Sequence, residues 1–216
     1  MIPQYIPIEK ISMLRVEHDW DDWDPYELLA EPDENTKNKL EMVSSRGITA
    51  FSLGCAEWTI YRLSNHFNDP VPHNYIEAFW VFLMGVDDAL PPETENDDWE
   101  GNIRGPINMA LMTTLNTIYL AGDGPPIQNG ALSAQITYHV LGENSEFIEW
   151  QKEVLERFVK YCLRDEDNPH GDFVPREILD PSIALDELES KKSQFIQDFL
   201  NKVDYPDNPF LKHVKL

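Results

Sequence analysis

The sequence has few basic residues and no long apolar run, and each shortage excludes a class of protein. Lys and Arg number 17 against 39 Asp and Glu, which gives a formal net charge of −22. Proteins that bind nucleic acid need Lys and Arg to displace counterions from phosphate, and anionic membrane surfaces attract the same residues. The sequence therefore predicts a protein that binds neither nucleic acid nor a membrane surface.

The sequence also shows no segment typical of a membrane-spanning helix or of a signal peptide. A spanning helix needs roughly 18 apolar residues, and the longest candidate, Ile107 to Ala121, is shorter and contains Asn and Thr. The N-terminus has prolines at positions 3 and 7 and acidic residues soon after, which is unlike a signal peptide. We therefore expect a cytoplasmic protein.

Cysteine is scarce, and the common catalytic motifs are absent. Cys55 and Cys162 are too few for a tetrahedral zinc site, and neither has a histidine at zinc-finger spacing, so a reduced, buried pair is expected. Motifs for nucleotide binding, a nucleophile elbow and a zinc-protease helix are missing. The acidic segment from Asp19 lacks the glycine of an EF-hand loop. The sequence thus predicts no metal, no cofactor and no catalytic residue.

What the sequence has in excess is negative charge, concentrated in two segments. Nine residues from Glu17 to Glu34 are acidic and seven more lie between Asp87 and Glu100, with no Lys or Arg in either segment. Self-repulsion on this scale destabilises a compact state, so the clusters suggest a basic partner; general solubility is the competing explanation. The run from Gly105 to Gly142 carries one full charge, Asp123, and is expected to be largely buried.

Apolar residues at spacings of three and four predict an all-α fold, a single-domain bundle of about six helices. Residues 1–34 should form an irregular acidic arm, residues 35–203 the bundle, and residues 204–216 an extended tail. A short helix from Pro25 to Ala30, capped by Asp24, is expected within the arm. The six predicted helices are Thr36–His66, which Gly47 would interrupt, then His73–Val86, Pro106–Ala121, Ile127–Leu141, Asn144–Arg164 and Ser182–Val203.

Two carboxylates, Glu57 and Glu77, each lie in an otherwise apolar helical run, where a carboxylate must find a partner or become protonated. An ion pair with Arg46 or Arg62 on the same long helix is the simpler explanation. The alternative is an enzyme that uses these carboxylates or His139 inside the bundle, although neither Glu has the histidine three residues on that a di-iron bundle needs.

Tryptophan recurs inside both acidic segments, a combination that suits a protein interface. An aromatic ring can anchor in a partner's pocket while the acids steer a basic partner and speed encounter. The competing explanation is that the tryptophans pack onto the domain and the acids are solvated helix caps. The predicted partner-binding residues are Asp19, Trp20, Asp21, Asp22, Trp23, Asp24, Asp97, Asp98, Trp99 and Glu100.

Residues 50–80, AFSLGCAEWTIYRLSNHF followed by NYIEAFW, resemble small acidic helical proteins of the bacterial immunity-protein kind, which are found beside secreted toxins. The resemblance carries over no binding residue. It implies a non-catalytic protein that inhibits a cognate toxin by occluding its active site, which would suit acidic clusters facing a nuclease or another basic domain. A structural homo-oligomer, in which apolar helix faces continue across a dimer interface, is the remaining alternative.

Overall fold

The computed structural model describes residues 2–94, 99–122 and 124–215. Within these ranges the chain is helical and its one extended pairing is an isolated antiparallel bridge between Val43 and Leu163, so the all-α prediction is confirmed. The described residues form eight α-helices: α1 Ile8–Ser12, α2 Glu34–Leu40, α3 Ser45–Leu63, α4 Val71–Leu83, α5 Gly101–Tyr119, α6 Ile127–Leu141, α7 Ser145–Tyr161 and α8 Leu185–Lys202.

The predicted number of helices was too low for two reasons. The arm contains α1, and the long helix expected from Thr36 to His66 is divided into α2 and α3. At the division, the Ser44 amide donates to the Cys162 carbonyl at 2.9 Å, and the Arg164 amide donates to the Met42 carbonyl at 2.8 Å. Pairing with the end of α7 thus replaces helical bonds, and the Ser44 side chain caps α3.

The central helix of the fold is α3, as the apolar run from Ala50 to Leu63 predicted. All but two of its 19 residues are buried, and it packs against α1, α4, α5, α6 and α7. Threonine hydroxyls satisfy one another across these contacts: Thr117 donates to Thr49 at 2.8 Å, and the Thr59 and Thr137 oxygens lie 3.0 Å apart. The almost uncharged hairpin of α5 and α6 therefore covers α3.

The C-terminal segment folds back onto the domain, whereas residues 204–216 were expected to be extended. Its backbone makes successive turns, in which the Leu211 amide donates to the Asn208 carbonyl at 3.0 Å. Leu211 is buried, the Phe210 ring packs edge-on against Tyr75, and the Asn208 side chain donates to the Asn74 carbonyl at 2.9 Å. Burial of apolar side chains against α4 explains the turns, and the prolines fit within them.

Both cysteines are free and buried, as predicted. Burial raises the pKa of the Cys162 thiol to about 12, so this thiol stays protonated at neutral pH. None of the helices in the described ranges combines the length and the apolar character that crossing a membrane would require.

Candidate functional site

Asp22 attaches one part of the acidic arm to the start of α5. The Gly101 amide, at the first residue of α5, donates to both carboxylate oxygens of Asp22 at 2.8 and 3.0 Å. The Trp20 indole N–H donates to the same carboxylate at 2.9 Å. A carboxylate is favourable there because the N-terminal end of a helix carries partial positive charge and unpaired amides. Asp22 therefore holds the arm in place.

Trp20 lies in a notch that glycine leaves open on α5. A Cβ atom at Gly105 would come within 2.6 Å of Trp20 Cδ1 and 2.7 Å of Asp22 Oδ1, which is closer than van der Waals contact allows. Trp20 is partly buried, and its ring centroid lies 6.3 Å from that of His139 on α6. The prediction of a partner-facing Trp20 is thus only partly compatible with the structure, because one side of the ring packs onto the domain.

Two histidines fix the arm just before Trp20. The His18 Nε2 atom lies 2.7 Å from the Asn102 carbonyl oxygen, and the His139 Nε2 atom lies 2.7 Å from the Asp19 carbonyl oxygen. The Asn102 carbonyl is available because Pro106, four residues on in α5, has no amide hydrogen to donate to it. His139 was considered as a catalytic group inside the bundle, but it contacts the arm instead.

Trp99, in the second acidic segment, packs onto the domain. It is buried, and the Arg104 guanidinium lies 4.7 Å from its ring centroid. Arg104 also forms an ion pair with Asp69. Glu100, its neighbour, is exposed. Asp97 and Asp98 lie outside the described residues.

Trp23 projects from the arm into solvent. Its side chain is 97% exposed, and that of Tyr26 is 63% exposed. The Asp21 carboxylate accepts a hydrogen bond from the Trp23 amide at 2.9 Å, which fixes the turn that carries the indole. A single 3₁₀ turn, Pro25–Leu28, follows in place of the predicted helix, and the Asp24 side chain makes no cap bond. Trp and Tyr are among the residue types that most often anchor protein interfaces, so Trp23 and Tyr26 are candidates for such contacts.

An open groove with a volume of about 450 Å³ lies between the arm and α5. Thioether and aromatic groups line it together with the carboxylates of Asp22 and Glu100, and the described residues that line it include no Lys or Arg. Asp19, Asp21 and Asp24 are exposed beside it. We call this surface the arm groove; it is lined by Trp20, Asp22, Trp23, Pro25, Tyr26, Trp99, Glu100, Gly105, Asn108, Met109 and Met112.

The second candidate site lies in the core, where Glu57 forms an ion pair and both of its carboxylate oxygens accept hydrogen bonds. The carboxylate is completely buried, and Arg176 donates to it in a bidentate manner, Nε to Oε1 and Nη2 to Oε2, both at 3.0 Å. The Trp80 indole N–H donates to Oε1 at 2.6 Å, and the Tyr5 hydroxyl donates to Oε2. Burial, reinforced by the charge of Glu57, raises the pKa of Tyr5 and keeps it a donor.

Glu57 forms an ion pair, as predicted, but its partner is neither of the two predicted arginines. Arg62 donates to the Arg15 carbonyl at 2.7 Å, and Arg46 donates to the Gly171 carbonyl at 2.7 Å. Both arginines are turned away from Glu57 along α3. The true partner, Arg176, lies 119 residues on in sequence, so helix spacing could not reveal it.

Glu77 shares a small cavity with Glu57. The cavity has a volume of about 30 Å³, room for little more than a water molecule, and Tyr61, His73 and Arg176 also line it. Burial lowers the pKa of His73 and raises that of Tyr61 to about 12. Glu77 accepts a hydrogen bond from Asn208 at 3.2 Å. The structure thus brings Glu57 and Glu77 together, but it places His139 at the arm.

No cluster of three His, Cys, Asp or Glu side chains suited to a metal ion occurs in the part of the chain that the structure describes. The residues that sequence reasoning missed are Tyr26, Met109 and Met112 in the arm groove, and Tyr5 and Arg176 in the core. Tyr26 stands within the acidic segment and could have been included. The methionines of α5 show no sequence signal beyond their apolar character.

Comparison of the chain with protein-family models, with curated proteins and with solved structures gave no match.

Proposed function

We propose that this protein is a non-catalytic binding protein whose arm groove receives a cationic segment of a protein partner. The observation that carries the proposal is Trp23, which is 97% exposed and lines a groove without a described basic residue. An exposed Trp among carboxylates suits a hot spot that is desolvated only in a complex. The net charge of −22 makes a basic partner the electrostatic complement.

The chain itself contains an example of the recognition that we propose. Arg104 lies over the Trp99 ring and pairs with Asp69, so one guanidinium is held by an aromatic face and a carboxylate together. Stacking of a cation on an indole contributes about 0.5–1 kcal/mol when exposed and more when water is excluded. Trp23 with Asp21 and Asp24 offers the same two groups to a partner's Arg or Lys.

Inhibition is the role that this surface fits best. Several contacts anchor the arm before and beyond Trp20, so the groove is preformed and little ordering entropy opposes binding. Enzymes that act on nucleic acid carry basic binding surfaces, because Lys and Arg must neutralise the phosphates that they hold. We infer an immunity protein that neutralises a basic toxin or enzyme by occluding its active site, in the cytoplasm, where both thiols remain reduced.

Reversal of the exposed acids should slow association with the partner. The partner is to be captured from the native host on the immobilised wild-type protein, identified by mass spectrometry, and purified. In the triple variant Asp21→Lys, Asp24→Lys and Glu27→Lys, we expect association at low salt to be about 10- to 1,000-fold slower, because steering is lost. At about 1 M salt, where the screening length is about 3 Å, the two rates should converge.

A matched triple variant gives the control. Glu149, Glu153 and Asp186 are exposed acids on α7 and α8, and their reversal to Lys makes the same change in net charge. We expect this control to alter the association rate much less than the arm variant does. Equal slowing by both triple variants would reject the arm groove as the binding surface. Stoichiometric loss of the partner's activity in the complex is the expected sign of inhibition.

A further inference from the structure

The attachment of the arm depends on histidines, and His18 is held in a way that disfavours its charged form. His18 is buried, and its Nε2–H donates to the Asn102 carbonyl at 2.7 Å. Its second ring nitrogen, Nδ1, is buried and has no hydrogen-bond partner among the described residues. Protonation would turn Nδ1 into a charged donor without an acceptor, which is costly in a buried environment.

The charges that face His18 come from α3, α6 and the arm itself. Arg62 of α3 and His139 of α6 disfavour the charged form of His18, whereas the Asp19 carboxylate favours it. The Glu17 carboxylate in turn favours the charged form of Arg62. The ring centroids of His18 and His139 are 5.7 Å apart, so two imidazolium rings would repel each other. Burial is the largest influence and lowers the pKa of His18, while the hydrogen bond to the Asn102 carbonyl, the next largest, opposes this shift.

We propose that His18 acts as a pH-sensitive latch, which holds residues 18–24 on α5 and α6 while its ring is neutral and releases them when the ring is protonated. The released arm takes Trp20 out of the notch at Gly105 and so removes one wall of the arm groove. Release itself is independent of the proposed function; only the consequence that mild acid abolishes partner binding depends on it. Binding of a proton to the ring is sufficient for release in this proposal.

The direction of the pH dependence follows from linkage. In the docked arm the pKa of His18 is lowered, so protons bind preferentially to the released arm. Docking is therefore fully stable above the ordinary histidine pKa of about 6.5 and weakens as the pH falls below it. At pH 5.0, His18 can favour release by at most about 30-fold relative to pH 8.

Fluorine NMR of the full-length protein labelled with 5-fluorotryptophan tests the latch without any partner. Trp20 and Trp23 are assigned from Trp20→Phe and Trp23→Phe spectra. We expect the Trp20 resonance to shift between pH 8 and pH 5, with a midpoint below 6.5, while far-UV circular dichroism stays constant. In Gly105→Ala, which fills the notch, the Trp20 resonance should have the chemical shift of the released arm even at pH 8. In the control Gly122→Ala, where nothing lies within 4 Å of the added Cβ, the Trp20 resonance should stay at its wild-type position.

The histidine variants decide the assignment. His18→Gln keeps a donor for the Asn102 carbonyl but cannot be charged, so its Trp20 resonance should lose most of the pH response. His66→Gln removes an exposed histidine elsewhere, so the Trp20 resonance of this variant should respond to pH as that of the wild type does. A wild-type Trp20 resonance that is constant from pH 8 to 5, or an unchanged transition in His18→Gln, would overturn the latch. Neither result bears on whether a partner binds at pH 8.

Discussion

Replacement of Arg176 by methionine is expected to lower the free energy of unfolding by about 3–5 kcal/mol. The substitution leaves the completely buried Glu57 carboxylate without its bidentate cation, while Trp80 and Tyr5 remain as donors. Removal of one member of a buried pair costs more than the pair contributes, because an uncompensated charge stays in the core. For a chain of this size the melting temperature should fall by on the order of 10 °C.

A double variant separates the ion pair from its surroundings. Glu57→Gln with Arg176→Met removes both charges, while the Gln amide can still accept from Trp80 and donate to the Tyr5 oxygen. We expect the double variant to recover most of the stability that either single variant loses, measured by urea unfolding at pH 7. Arg15→Met is the control, because the Arg15 side chain is exposed. Additive losses in the double variant would contradict this account of Glu57.

Truncation of Trp23 to alanine should weaken partner binding by about 30-fold or more, which corresponds to about 2 kcal/mol. The indole is almost fully exposed in the free protein, so its contacts remain to be made in a complex. For the same reason its removal should change the free energy of unfolding by less than about 0.5 kcal/mol. Calorimetric titration of the purified partner gives the first quantity, and urea unfolding gives the second.

Tyr119→Ala provides the comparison for Trp23. Tyr119 ends α5, is 51% exposed, and lies at the opposite end of that helix from the arm attachment. Its truncation should leave the affinity within about twofold of the wild-type value, since it lies outside the arm groove. An unchanged affinity in Trp23→Ala, or an equal loss in both variants, would be incompatible with Trp23 as the anchor.

Local sequence patterns predicted the helices well because most of them are set by local apolar periodicity. The limits of α6 were predicted at both ends, Ile127 and Leu141, where the Pro125-Pro126 and Gly142 signals lie next to the periodic run. The division between α2 and α3 was misplaced, because it depends on bonds to residues 162–164, far away in sequence. The turns of the C-terminal segment likewise depend on burial against α4.

The composition of the sequence indicated the arm as the candidate site, and the contacts in the structure distinguish the side chains that hold the arm from those that are exposed. The acids and tryptophans of the arm could be identified from sequence, but the same pattern could not distinguish an anchor from an exposed group. Asp22 and Trp20 hold the arm on α5, whereas Trp23, one residue after Asp22, faces solvent. That difference arises from Gly101 and Gly105, about 80 residues away, whose amide and missing Cβ receive the arm.

Hydrogen exchange of the complex tests the central claim most directly, because it locates the partner on the chain. Backbone amides from 19 to 31 should exchange more slowly in the complex than in the free protein, with the peptide that contains Trp23 showing the largest change. The acidic loop from Arg164 to Phe173 should exchange equally in both. Protection of that loop, with the arm unchanged, would contradict the account and place the interface elsewhere.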